Sequence, residues 1–287
     1  MTASMGPNRY GKDGIRLVLV RRGVQPGSDR HELRDLTVDV RLEGDFDRVH
    51  TDGDNAPVLA TDTMRSTVYA LAQEHLTGAI EDFGAALARR YLDVAPAATS
   101  AEVTLREHTW TRTEVDGSPH PHAFTAGPAT TATAVVTARR SGPSDVRSGI
   151  AGLTVLKTTD SAFSGFLRDE FTVLAETEDR ILATEVTADW TYVDGSSPSY
   201  DDVRATARRA LLESFATHDS KSVQHTLHAM GNALLAACPD VGEVSMRMPN
   251  KHHVAVDLAP FGIPNDNAVF VATDRPFGVI EGTVRRG

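Results

Sequence analysis

One cysteine, Cys238, and four lysines, Lys12, Lys157, Lys221 and Lys251, are all that 287 residues contain of either type. The lone thiol excludes a disulfide within the chain and any multi-thiolate metal or iron–sulfur site built from one copy. No stretch approaches eighteen consecutive apolar residues, and Met1 to Asp13 lacks the apolar core of a secretory signal. A soluble protein of the cell interior is therefore expected. Basic blocks are missing as well. With a formal charge of -10 and no Lys/Arg-rich run, the chain offers no face for a nucleic-acid backbone, so neither nucleic acid nor membrane is an expected partner. Arginine fills most of the 29 basic positions. Where lysine persists, a group able to release its proton is a reasonable suspicion.

What is present builds a core. Hydrophobic residues make up 40% of the chain, which is long enough for one large domain or two of ordinary size. The run Ile15 to Val20, and the alternation of Leu36, Val38, Val40 and Leu42 with Thr37, Asp39 and Arg41, predict two half-buried antiparallel strands. Met64, Val68, Leu71 and Ala72, then Ile80, Phe83, Leu87 and Tyr91, recur at helical spacing, with a break near Thr77-Gly78. Alternation returns through Val103, Leu105 and the region of Trp110, and again from 130 to 138.

A polar connector, 139 to 149, precedes a second round of the same order. Strands are expected at Leu153 to Lys157 and Thr184 to Tyr192. Two helices follow, one carrying Val203, Ala207, Leu211 and Phe215 behind a Ser199/Asp202 capping box, the other Val223, Leu227, Met230 and Leu234. Val244, Met246 and Met248 alternate, as do Val254, Val256 and Leu258, and a last strand is expected from Val269. The expected fold class is α+β, in two similar halves, 10–140 and 148–287, each an antiparallel four-stranded sheet with two helices on one face. Open sheets of this kind leave edges to be paired, which favours a homo-oligomer closed into barrels with sites at subunit seams.

Chemistry is carried by fewer residues. Phe163 lies in a small-residue loop and reads either as a stacking platform for a planar ligand or as a core aromatic. Arg180 suits a planar oxyanion or imide, unless Glu176 or Asp179 pairs with it. Thr61 and Asp62 stand where a helix N-cap would. Histidines at 120, 122, 252 and 253 raise a metal reading, but His252 and His253 are adjacent and point to opposite faces of an extended chain.

Around Phe163 the pattern Leu153-x-Val155-Leu156-Lys157-Thr158-Thr159-x-Ser161-x-Phe163-x-x-Phe166, followed by Phe171, Leu174 and Arg180, resembles the signature of the urate oxidase (uricase) family. The segments RYGKDGIRL (9–17), VLATDTMRSTVYALA (58–72), WTRTEVDGSPHPHAF (110–124), SVQHTLHAM (222–230) and MPNKHHVAVDLAPFG (248–262) resemble it too, in the family's order and over nearly the whole chain. The resemblance implies two tandem tunnelling-fold (T-fold) halves, a homotetramer closed into a β-barrel tunnel, and oxidation of urate by O2 and water to 5-hydroxyisourate and hydrogen peroxide with no cofactor and no metal. It implies that Arg180 and Gln224 grip one edge of the purine, that Phe163 stacks on it, and that the Val223 backbone adds a hydrogen bond. Thr61 and Asp62 would reach the urate of a neighbouring subunit, and Asn250 would hold O2 or water above the ring. Lys12, Thr61 and His252 would move protons as a catalytic relay. Read from the residues alone, Gln224 is a solvated helix-start glutamine and Lys12 a surface lysine. Lysine serves as a base near neutral pH only where burial or a cationic neighbour lowers its pKa. A catalytically silent purine- or pterin-binding T-fold protein is the alternative; it would be expected to lose Lys12, Thr61 or His252, and all three are present. The chain ends Thr-Val-Arg-Arg-Gly rather than in a Ser-Lys-Leu-type address, so a bacterial cytoplasm is expected.

Within MPNKHHVAVDL, Asn250 and His252 are expected to share one face, leaving Lys251 and His253 to structural work on the other.

Overall fold

Residues 4–22, 29–273 and 275–287 are described by a computed structural model. Alternating segments become antiparallel strands, and segments of helical period become helices. Two units divide the chain, Met1–Gly149 and Ile150–Gly287. The first contains β1 (Arg9–Arg21), β2 (Glu32–Gly44), α1 (Asp47–Thr51), α2 (Thr61–His75), α3 (Ile80–Val94), β3 (Ala98–Glu107), β4 (Trp110–Val115), β5 (Ser118–Ala126) and β6 (Thr131–Arg139). Its main sheet runs β1-β2-β3-β6, antiparallel at each step, while β4 and β5 form a separate hairpin. Leu36, Val38, Val40 and Leu42 are wholly buried and form one core with Met64, Val68, Phe83, Leu87 and Tyr91 of the helix pair. Burying each such side chain is worth roughly 1.5–3 kcal/mol. The Tyr91 hydroxyl crosses this core to donate to the Met64 carbonyl at 2.8 Å, fixing α3 against α2.

A strand β7 (Asp145–Lys157) runs through the division at Gly149. The second unit continues with β8 (Leu182–Tyr192), α4 (Tyr200–Thr217), α5 (Val223–Ala237), β9 (Val241–Pro249), β10 (His253–Ala255), a single 3-10 turn (Ala259–Phe261), β11 (Phe270–Ala272) and β12 (Val279–Arg285). Here the order is β7-β8-β9-β12, with β8-β9 and β9-β12 antiparallel. Val186, Ala188, Trp190, Val244, Met246 and Met248 face Val203, Leu211, Phe215, Leu227, Met230 and Leu234 in a second core. Cys238 belongs to that core, and burial pushes its thiol pKa up. The architecture is α+β with antiparallel sheets. No helix among the described residues is long and apolar enough to cross a membrane.

Five expectations are corrected. Trp110 does not extend β3; it opens the separate hairpin, where its indole Nε1–H donates to the buried Asp35 carboxylate at 2.9 Å. The polar connector is shorter than its composition suggests, because β7 starts at Asp145. Strand pairing is a backbone property, and Ser148 is buried there by donating to Glu81. Ser199 sits at the N-cap of α4 without a side-chain cap hydrogen bond, so the capping box does not form. Val254 is 53% exposed, since β10 is only three residues long and pairs with β11 outside the main sheet; the alternation of Val254, Val256 and Leu258 does not enter the core. The last strand of the main sheet is Val279–Arg285, not a strand from Val269.

Candidate active site

Three chain segments of the second unit are tied together at one place. Ala162 N donates to Ser220 O at 2.7 Å and Ser220 N to Asp160 O at 2.9 Å, joining the loop after β7 to the turn before α5. Phe163 and Thr177 exchange backbone hydrogen bonds at 2.8 and 3.1 Å, which folds the segment ending in Arg180 back onto Phe163. The Arg180 guanidinium consequently lies 5.3 Å from the Phe163 ring centroid. Its Nε is buried without a hydrogen-bond partner, and burial lowers its pKa. Neither neighbouring carboxylate neutralises it: Glu176 accepts from Gly165 N at 3.3 Å, and Asp179 accepts from the Thr159 hydroxyl at 3.1 Å. Among the described residues no acid pairs with Arg180, which removes the ion-pair reading.

Val223 and Gln224 are the first two residues of α5, with Val223 buried and Gln224 exposed. Ser222 caps this helix, its hydroxyl accepting from His225 N at 3.1 Å. Beneath it the wholly buried Thr226 hydroxyl donates to Ser220 Oγ at 2.7 Å, and Ser220 Oγ donates to Ser222 O at 3.1 Å. Sequence reasoning did not single out Ser220 or Thr226. The available signal was a Ser-x-Ser-x-x-x-Thr spacing that places hydroxyls on both sides of a helix start.

Asn250 pairs with Thr184 in an antiparallel bridge, and Lys251 N donates to Ala183 O at 2.9 Å. These contacts set the pair Asn250 and His252 against the beginning of β8, the strand Arg180 leads into. The Asn250 amide nitrogen is 3.4 Å from His252 Nδ1, a long contact. Lys251 turns away to Glu185 at 3.0 Å, and His253 Nδ1 lies 3.1 Å from Lys251 O. Asn250 and His252 thus lie beside each other, while Lys251 is held apart from them by its ion pair.

In the first unit, Thr61 opens α2, whose N-cap is Ala60 with no side-chain cap; neither Thr61 nor Asp62 serves as the cap. Asp62 forms an ion pair with Arg65 at 2.6 Å. Tyr10 of β1 packs edge-on against Phe46, and its hydroxyl accepts from Leu59 N at 2.9 Å, fastening the chain two residues before Thr61. Lys12, two residues along β1, is half-buried and makes no ion pair among the described residues. His120 and His122 stack edge-on at 4.5 Å, and no group of three or more His, Cys, Asp or Glu among the described residues is placed to hold a metal ion.

A family model described as Uricase matches residues 8–137 and 146–281. The chain belongs to the uricase family. The uricase of Arthrobacter globiformis is 43% identical over 282 residues, covering 98% of this chain and 90% of that one. The uricase of Emericella nidulans is 37% identical over 290 residues, covering 97% and 96%. The crystal structure of the Arthrobacter globiformis uricase superposes with a TM-score of 0.91 at 42% identity, covering all of this chain and 96% of that one. A uricase from Bacillus fastidious, 24% identical, shares the fold with a TM-score of 0.84.

Proposed function

We propose that the chain oxidises urate with O2 and water to 5-hydroxyisourate and hydrogen peroxide, using its own side chains in place of a cofactor. Family membership makes it a urate oxidase; the unpaired guanidinium of Arg180 beside Phe163 is the observation that carries the substrate site. A half-buried cation with an orphaned donor is costly unless a ligand satisfies it. Urate, anionic at neutral pH, presents a planar edge of acceptors and donors that a guanidinium fork and the Gln224 amide match. Phe163 stacks on the purine, and the Val223 N–H at the start of α5 adds a donor.

Catalysis then requires proton management. Urate must lose a second proton to become a good electron donor to O2, and a water must later be deprotonated to hydroxylate the ring. Lys12, Thr61 and His252 carry those protons, and Asn250, whose amide lies beside His252, holds O2 or water above the purine. Thr61 and Asp62 of one copy complete the site of a neighbouring copy in a homotetramer, whose two T-fold halves per chain close into a tunnel. Exposed Leu167, Phe171 and Val173 in a single copy support such assembly. A bacterial cytoplasm is the compartment we assign.

The direct test is urate consumption with O2 uptake and peroxide formation after exhaustive chelation. Unchanged turnover is expected. No turnover by folded, oligomeric protein would sink the proposal, and activity lost on chelation would require a metal. A gentler probe is Ser222→Ala, which removes the α5 cap: a stability loss of about 1 kcal/mol is expected, with a raised KM and nearly constant kcat because Val223 and Gln224 lose their anchor. Thermal unfolding and steady-state kinetics check both parts.

A further inference from the structure

β1 is not continuous in register with β2. Lys12 pairs with Val40 and Ile15 with Val38, so Asp13 and Gly14 stand opposite the single residue Asp39. Two residues facing one define a β-bulge, and Gly14 takes the left-handed φ of +66° that this bulge needs. Asp39 holds the insertion in place. Its Oδ1 accepts from Gly14 N at 2.7 Å, and its Oδ2 accepts from Arg106 at 2.7 Å. Asp13, the other inserted residue, is clamped by Arg41 at 2.6 Å. Before the bulge the two strands run close: a Cβ on Gly11 would lie 1.8 Å from Val40 O.

The extra residue reverses parity. Ile15 and Leu17 face the core, so in an unbroken strand positions 13 and 11 would follow them there and position 12 would face the other way. Instead Lys12 sits opposite Val40, and Tyr10 opposite Leu42, both partners wholly buried. Antiparallel partners share a face. Lys12 therefore lies on the core side of the sheet, the side where α2 packs and where Tyr10 fastens the chain entering Thr61.

We propose that Asp39 and Gly14 are positioning residues for Lys12: the bulge they hold turns this lysine to the α2 face, where it meets Thr61. The proposal rests on the reading of Lys12 as a proton carrier. Asp39 touches no substrate in this scheme and acts only through the backbone of residues 12–15.

The test uses the full chain, with urate kinetics alongside binding of xanthine, which is urate without its 8-oxo group. Asp39→Ala is expected to lower kcat on the order of tenfold or more and to leave xanthine affinity within about twofold, since Arg180, Phe163 and Gln224 belong to the other unit. Asp39→Asn keeps an oxygen for Gly14 N and is expected to restore most of kcat. In a Lys12→Met background, Asp39→Ala is expected to cause no further loss. Wild-type kcat in Asp39→Ala beside a crippled Lys12→Met overturns the positioning role alone, as does an equal loss in both backgrounds. Wild-type kcat in Lys12→Met overturns the reading of Lys12 itself. Should Asp39→Ala not fold, Gly14→Ala strains the bulge while leaving Asp39 and its arginine in place; wild-type kcat there overturns the proposal too.

Discussion

Replacing Lys12 by methionine is expected to slow urate turnover by on the order of a hundredfold or more, the usual scale of a lost general acid or base, while binding of an inert purine stays nearly intact. Methionine keeps the length and the apolar stem, so the core side of β1 is little disturbed. The nearby acids do not hold Lys12 as a structural partner: Asp13 is clamped by Arg41 and Asp39 by Arg106. A half-buried lysine with no ion pair among the described residues contributes little to stability through its charge, so its removal is felt in chemistry. Comparing kcat with xanthine affinity, and both with the unfolding temperature, checks this. Equal losses in turnover and binding, accompanied by a lowered melting temperature, would show that Lys12 only holds the fold.

Much of this was legible in the residues because half-buried antiparallel strands and helices lying on them print their periods directly. The alternation of Leu36 to Leu42 became β2, and Val203 to Phe215 became the inner face of α4 with every named residue buried. Three things were not legible. Val254 and Val256 alternate just as core strands do, yet β10 pairs only with β11; alternation reports a strand, not which sheet it joins. Ser148 and Arg147 read as connector because polar residues are common in loops, whereas Glu81, far away in sequence, is what lets Ser148 be buried. The bulge was invisible because its apolar period begins only at Ile15, after the parity has already changed. Among candidate site residues, the sequence placed Phe163, Arg180 and Gln224 on separate segments. Backbone ties through Ser220 and Thr177, together with contacts such as Thr159 to Asp179, bring those segments together. Nor could spacing reveal that Glu176 and Asp179, both within four residues of Arg180, would be engaged elsewhere.

The freedom of Arg180 from Glu176 and Asp179 bears most on binding. Arg180→Ala is expected to raise the KM for urate by about a hundredfold or more, because a charge-assisted, bidentate contact in a partly desolvated site is worth a few kcal/mol and nothing nearby replaces it. The stability of the empty enzyme is expected to stay level or to rise slightly. The guanidinium is half-buried, its Nε has no partner, and desolvation already lowers its pKa, so the folded state bears a cost at this position that alanine removes. Binding and stability therefore move in opposite directions, a pattern that a purely structural arginine, paired with Glu176 or Asp179, would not produce. Arg180→Lys is expected to recover little, since an ammonium keeps the charge but not the planar fork that meets the purine edge. Titration with xanthine and thermal unfolding of the same variants decide the matter: unchanged affinity in Arg180→Ala removes this residue from the site, and a large loss of stability returns it to the scaffold.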